Sequence, residues 1–155
     1  MDGKWHEAKY LEDGGRRKSR RSESALTGFP YMVLESDELG EDDWLKVLVR
    51  LKLPIAAIYT SGSKSIHALV RVGAESKAEW DHMRNELQPL LTALGADGAA
   101  MSAVRLTRLP FTLRRGSEKR DGSYVAWQTP GRQELLWLDA QPETRGLVSY
   151  GIMRD

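Results

Sequence analysis

The sequence predicts an α+β domain of order β-α-β-β-α-β, the split βαβ or ferredoxin-like arrangement, with additional strands at its C-terminal end. Three observations carry this. Phe29–Leu34 is an apolar, β-branched and aromatic run. Two helical segments follow it, one of period 3.6 and one with a capping signature. Between those helices lie two short apolar runs separated by small turn residues, the pattern of a hairpin. At 155 residues, with 41% hydrophobic and 29% charged residues, the chain fits one domain with a packed core and a charged surface.

The elements follow in order. Residues 1–28 read as an arm, with a short helical start around Trp5–Leu11, a Gly-Gly pair and a basic, serine-rich stretch. Phe29–Leu34 is the first strand and ends in Glu35-Ser36-Asp37. Asp42–Lys52 places Trp44, Leu45, Val47, Leu48 and Leu51 at helical spacing, and Pro54 stops it. Ile55–Tyr59 and Ile66–Val72 are the hairpin strands around Thr60–Lys64. Ser76 with Glu79 opens the second helix, which continues through Pro89, where a kink is expected, to Leu94, with Gly95 as its stop. A fourth strand is expected near Val104–Leu106, and two further ones at Tyr124–Gln128 and Gln133–Leu138. The core domain is therefore 29–140, with 141–155 as a tail.

Composition removes several chemistries. There is no cysteine, so disulfides, thiol nucleophiles and Cys-ligated zinc are absent, and the three histidines lack metal-ligand spacing. No apolar run reaches the ~18 residues of a membrane span, and the N-terminus has no apolar signal core. A cytoplasmic setting with no membrane partner is the expectation. The net charge of +1 conceals segregated blocks: six acids and no base in Glu35–Asp43, five bases in Arg16–Arg21, and six bases against one acid in Met101–Arg120. Such blocks serve a polyanion when the basic surface holds it and the acidic one binds metal; they equally describe solvated loops.

Four segments can carry chemistry. Glu35 and Asp37 lie two apart at the end of a strand, where the period of two puts both side chains on one face, and close carboxylates favour a shared cation such as Mg²⁺ or Mn²⁺. Asp97 is the candidate third carboxylate, or else a turn-capping residue. Ser61-Gly62-Ser63-Lys64-Ser65-Ile66-His67 is not a P-loop: it lacks the glycine before Lys64 and leads into a strand. Its hydroxyls (Ser63, Ser65), Lys64 and His67 suit phosphate oxygens. Arg105 and Arg108 are guanidinium forks for phosphate or carboxylate, with structural pairing to the acids of 35–43 as the other reading.

Together these segments resemble the archaeo-eukaryotic primase superfamily, in particular the primase-polymerase domains of phages, plasmids and other mobile elements. The first motif is matched by Glu35-Ser36-Asp37, with Glu where Asp is more common. The second, small-x-His, is matched by Ser65-Ile66-His67, and the third by Asp97 followed by Arg105-Leu106-Thr107-Arg108-Leu109-Pro110. Arg132 to Leu138 resembles that branch's closing strand, so the similarity spans about residues 29–140. The resemblance implies an RRM-like catalytic core performing template-directed nucleotidyl transfer for primer synthesis. Glu35, Asp37 and Asp97 would hold two divalent ions, Mg²⁺ or Mn²⁺. Ser63, Lys64, Ser65, His67, Arg105 and Arg108 would bind the nucleoside triphosphate, ribo or deoxy, or the single-stranded DNA template. No helicase domain or zinc module is present, so the resemblance implies a minimal catalytic core, a fragment, or a protein whose replicative helicase acts in trans.

The principal alternative is a non-catalytic RRM-like nucleic-acid-binding module. Its stacking aromatics would be Phe29, Tyr31 and Tyr59, but the Gly-Phe-rich signature of such modules is missing. A rolling-circle nuclease needs a His-x-His pair that His67 does not supply. A nucleotide cyclase-like palm differs from a polymerase only in its product.

Overall fold

The structure, a computed structural model, describes residues 12–13, 16–17, 23, 26–107, 109–126 and 130–140. It is an α+β fold built on a four-stranded antiparallel sheet and two helices. The sheet strands are β1 (Phe29–Glu35), β2 (Ile55–Thr60), β3 (Ile66–Ala74) and β4 (Leu135–Leu138), and the helices are α1 (Glu41–Arg50) and α2 (Lys77–Ala93). Their order across the sheet is β4-β2-β3-β1, so β3 inserts between β1 and β2.

Alternation along the strands sorts the sheet's two faces. Met32 and Leu34 of β1 and Ile66, Ala68, Val70 and Val72 of β3 join one apolar cluster with Trp44 and Leu48 of α1 and Trp80, Met83 and Leu91 of α2. The intervening positions, among them Tyr31, Val33, Glu35, His67 and Leu69, point to the face opposite the helices. Both indoles anchor helix to sheet: Trp44 Nε1 donates to the Ile66 carbonyl at 3.1 Å and Trp80 Nε1 to the Tyr31 carbonyl at 3.2 Å.

The helix ends follow their sequence signals. Glu41, Asp42 and Asp43 occupy the first turn of α1, where acids complement the helix dipole. Ser76 Oγ accepts the Glu79 amide at 3.2 Å, and Glu79 Oε2 reaches back to the amide of Glu75 at 2.8 Å, one residue before the cap itself. α2 runs unbroken through Pro89. Gly95 takes φ +98°, and a Cβ there would meet Leu39 Cδ1 at 2.6 Å, so glycine is required both for conformation and for space.

The fourth strand expected near Val104–Leu106 does not form; residues 103–104 make a turn and 105–107 pair with no strand. The physical reason is that this segment docks by its side chains. Arg105 and Thr107 reach polar groups on the sheet, and Leu106 is left exposed. The sheet's fourth strand is instead β4, beside β2, which realises the later part of the expected Gln133–Leu138 strand. Strand 123–126 pairs with 117–120 around Asp121-Gly122, both at positive φ, the pairing that hairpin turns of this kind require. Gln128, the end of its expected span, lies outside the described residues. So do the short helix expected at Trp5–Leu11, most of the basic arm, the 141–155 tail and Arg108; within the arm, residues 12–13 and 16–17 pair as a small antiparallel turn.

Candidate functional site

The register of the central strands assembles the site. Glu35 of β1 is directly opposite His67 of β3, and His67 is directly opposite Tyr59 of β2. Directly opposed residues share a face, so three polar side chains from three strands form a row across the sheet. The 102–107 segment crosses that row. The Arg105 guanidinium bonds Glu35 Oε1, and His67 Nε2 lies 2.8 Å from Glu35 Oε2. On the ring's other side, His67 Nδ1 meets the Thr107 hydroxyl at 3.4 Å, and that hydroxyl is hydrogen-bonded to the Tyr59 phenol. The Tyr59 and His67 rings sit edge to face, 5.5 Å apart.

Burial makes this cluster cohesive. Glu35 is 4% exposed and His67 9%. A carboxylate so far out of water is stable only with cations and donors on its oxygens, and here both oxygens have one. Burial pushes the Tyr59 ionisation above its ordinary range, with the Thr107 bond pulling the other way. Arg105 keeps about a third of its side chain in solvent, at 34%. It lies on the rim of a cleft of about 210 Å³ whose apolar lining includes Tyr31, Val33 and Leu69 and whose polar rim adds Thr107.

The carboxylates do not converge as the sequence suggested. β1 ends at Glu35, so the period-two argument stops there; Asp37 lies in the following bend, exposed. The intervening Ser36 is buried, and its hydroxyl accepts the Leu39 amide at 3.0 Å, which turns the chain away from the strand. Asp97 comes close through its backbone: its amide donates to the Glu35 carbonyl at 2.8 Å. Its side chain works locally, Oδ1 accepting the Ala99 amide at 2.9 Å as a turn cap. Among the described residues, no group of three or more His, Asp or Glu is arranged to hold a metal ion. With one Glu35 oxygen bonded by the Arg105 guanidinium and the other against His67 Nε2, the residues as arranged do not fit the two-ion centre.

The Ser61–Ser65 turn leads directly into His67. Ser61 N donates to the Ser65 carbonyl at 2.8 Å, and Ser63 and Lys64 are exposed at its tip. Ser65 Oγ is 3.5 Å from His67 Nε2. The structure therefore brings together Glu35, His67, Arg105 and Ser65, with Ser63 and Lys64 on the adjoining turn. Tyr59 and Thr107 belong to the same cluster, although the sequence pointed to Tyr59 only as a stacking aromatic of the alternative reading and to Thr107 for no role of its own. Tyr59 was within reach, because a turn over 61–65 forces residue 59 opposite residue 67. In comparisons with known proteins, no family model matches the chain, and neither curated proteins nor solved structures give a match.

Proposed function

We propose that this chain is a primase-polymerase-type domain that binds a nucleoside triphosphate on the helix-free face of its sheet and transfers the nucleotide to a growing strand on single-stranded DNA. The observation that carries this reading is the meeting of Glu35, His67 and Arg105, from segments up to seventy residues apart, beside an apolar cleft. Side chains gathered over such separations reflect a site more than a local turn. The insertion of β3 between β1 and β2 supports an RRM-like, split βαβ sheet, with the fourth strand β4 beside β2 and the Asp97 amide bonded to the end of β1.

In this reading Arg105 and His67 supply cationic donors to phosphate oxygens, a role suited to a guanidinium fork at a partly open rim. Lys64 and the Ser63 and Ser65 hydroxyls extend the same surface. Among the described residues, the Gly62, Ser63 and Lys64 amides donate to no group, so the turn offers further anion donors. Tyr31, Val33 and Leu69 suit a base or sugar face, and Arg108 would add to the phosphate contacts. Nucleotidyl transfer is mostly positioning and charge stabilisation, which needs no covalent nucleophile.

The test is template-directed incorporation. The protein is incubated with single-stranded DNA, Mg²⁺ or Mn²⁺, and labelled ribo- or deoxynucleotides, and the products are sized. Template-dependent oligonucleotides, lost in Arg105→Ala, support the reading. A single cyclic or dinucleotide product would point to a cyclase-like palm instead. A second reading has its own support: the closed pairing of Glu35 and the exposed Tyr31 on the open sheet face suit a non-catalytic nucleic-acid-binding module. Retained binding to single-stranded DNA with no incorporation under any ion would favour it.

A further inference from the structure

We infer that Gln133 is a positioning residue for the Ser61–Ser65 turn, holding from behind the loop that presents Lys64 and Ser63 to phosphate; the functional half of this inference rests on the reading above. Gln133 is 0% exposed. Burying an amide side chain is costly unless its bonds are made, and here they join two loops. Its Nε2 donates to the Ser61 carbonyl at 3.3 Å and its Oε1 accepts from the Thr112 hydroxyl at 2.9 Å. Its backbone is held as well: the Gln133 amide donates to the Thr112 carbonyl at 3.0 Å, and its carbonyl accepts the Phe111 amide at 2.8 Å.

The neighbouring glycines show how closely the two segments meet. Gly62 has φ +72°, and a Cβ on it would fall 3.0 Å from Gln133 Cγ. A Cβ on Gly131 would fall 1.6 Å from the Gly62 carbonyl oxygen, an impossible contact with backbone. Just before the turn, Thr60 and Glu134 exchange amide bonds: Thr60 N donates to the Glu134 carbonyl and Glu134 N to Thr60 Oγ1, each at 2.9 Å. The turn is thus braced along one side by residues 131–134, while its tip faces solvent. Ser61 is the joint. It bonds Gln133 through its carbonyl and closes the turn through its amide to Ser65, two residues before His67.

Gln133→Met keeps the volume and removes both side-chain bonds, and Thr112→Val removes the bond to Oε1 together with the one that the same hydroxyl makes to the Leu109 carbonyl. Amide hydrogen exchange is read at Ser61 and Ser65, the turn residues whose amides are bonded, and in β1 and β3, and affinity is measured for ATP, dATP and a single-stranded oligonucleotide. Faster exchange confined to the turn, with triphosphate affinity about tenfold weaker and oligonucleotide affinity unchanged, is the expected result. Wild-type protection of the turn in Gln133→Met overturns the positioning role. A loosened turn with unchanged triphosphate affinity overturns the link to phosphate. If the wild-type protein binds neither triphosphate, the functional reading fails while the bracing is still decided by exchange. Should Gln133→Met not fold, Thr112→Val decides through the same exchange measurement, smaller in size.

Discussion

Glu35 Oε2 and His67 Nε2 lie 2.8 Å apart as directly opposed residues of neighbouring antiparallel strands, on the sheet face that carries no helix. The first acid of the candidate metal motif is therefore the anion of an ion cluster. Arg105 completes it from a segment that crosses the face, so the region after α2 is tied to the sheet by charge. Asp97 N to the Glu35 carbonyl ties the same region by backbone. Together these two links hold the post-helix segment where its side chains roof the Glu35–His67–Tyr59 row.

Glu35→Leu should lower stability by about 3 kcal/mol, near the lower end for breaking a buried ion pair. The low end applies because Arg105 is partly hydrated. Urea unfolding at neutral pH measures the loss. The exposed Asp43–Lys46 pair serves as the contrast, since removing Asp43 should leave the midpoint unchanged. A Glu35→Leu midpoint equal to wild type would mean that the cluster adds nothing to the fold.

Gly131→Ala should destabilise by about 1–3 kcal/mol, the range for forcing an atom into packed space. The new methyl would collide with the Gly62 carbonyl, which belongs to backbone and cannot swing aside. Gly122→Ala is the comparison: φ is +84° but a Cβ meets nothing within 4 Å, so only the left-handed conformation is penalised, by about 1 kcal/mol. Equal losses in the two variants would contradict the close approach.

Tyr59 ionisation gives a pH signature. Burial raises its folded-state value, so above about pH 10 the unfolded chain loses the phenolic proton while the folded chain keeps it. The unfolded state then binds fewer protons, and stability falls as pH rises. Below the unfolded value the phenol is neutral in both states and contributes no slope. The wild-type curve should therefore fall more steeply above about pH 10 than that of Tyr59→Phe, as read by thermal melts on either side of that pH. Parallel curves would argue against burial of the phenol.

Much of this was legible in the sequence. The helices announced themselves through the Trp44, Leu45, Val47, Leu48 and Leu51 spacing, the Ser76–Glu79 capping pair and the Gly95 stop, and the hairpin through its small-residue turn. Glu35, His67 and Arg105 stood out individually. What sequence spacing could not supply was who neutralises whom. Whether Arg105 faces phosphate or Glu35 depends on whether 104–106 forms a strand, and its apolar alternation suggested one. Side-chain docking onto the sheet won over edge pairing. Gln133 was invisible for another reason: its partners Ser61 and Thr112 lie on loops that no periodicity connects to it.

Asp37 and His67 separate function from architecture most sharply. Asp37 is exposed in the bend after β1, so Asp37→Asn should leave stability within about 0.5 kcal/mol of wild type. If the proposed nucleotidyl transfer uses that carboxylate, incorporation should nevertheless be lost. His67 has a structural role as well, because its ring pairs Glu35 and meets Thr107. His67→Ala should therefore cost about 1–3 kcal/mol of stability, the range for leaving a buried partner unsatisfied. In the proposed reading it should also weaken triphosphate binding, while affinity for single-stranded DNA, which that reading assigns to the basic segments, stays near wild type. Melting temperature, incorporation, triphosphate affinity and DNA affinity are measured on the three proteins side by side. Full incorporation in Asp37→Asn would remove Asp37 from the reaction. A His67→Ala protein that loses stability but binds triphosphate as wild type would make His67 a purely structural partner of Glu35 and leave Arg105 and the Ser61–Ser65 turn to hold the nucleotide.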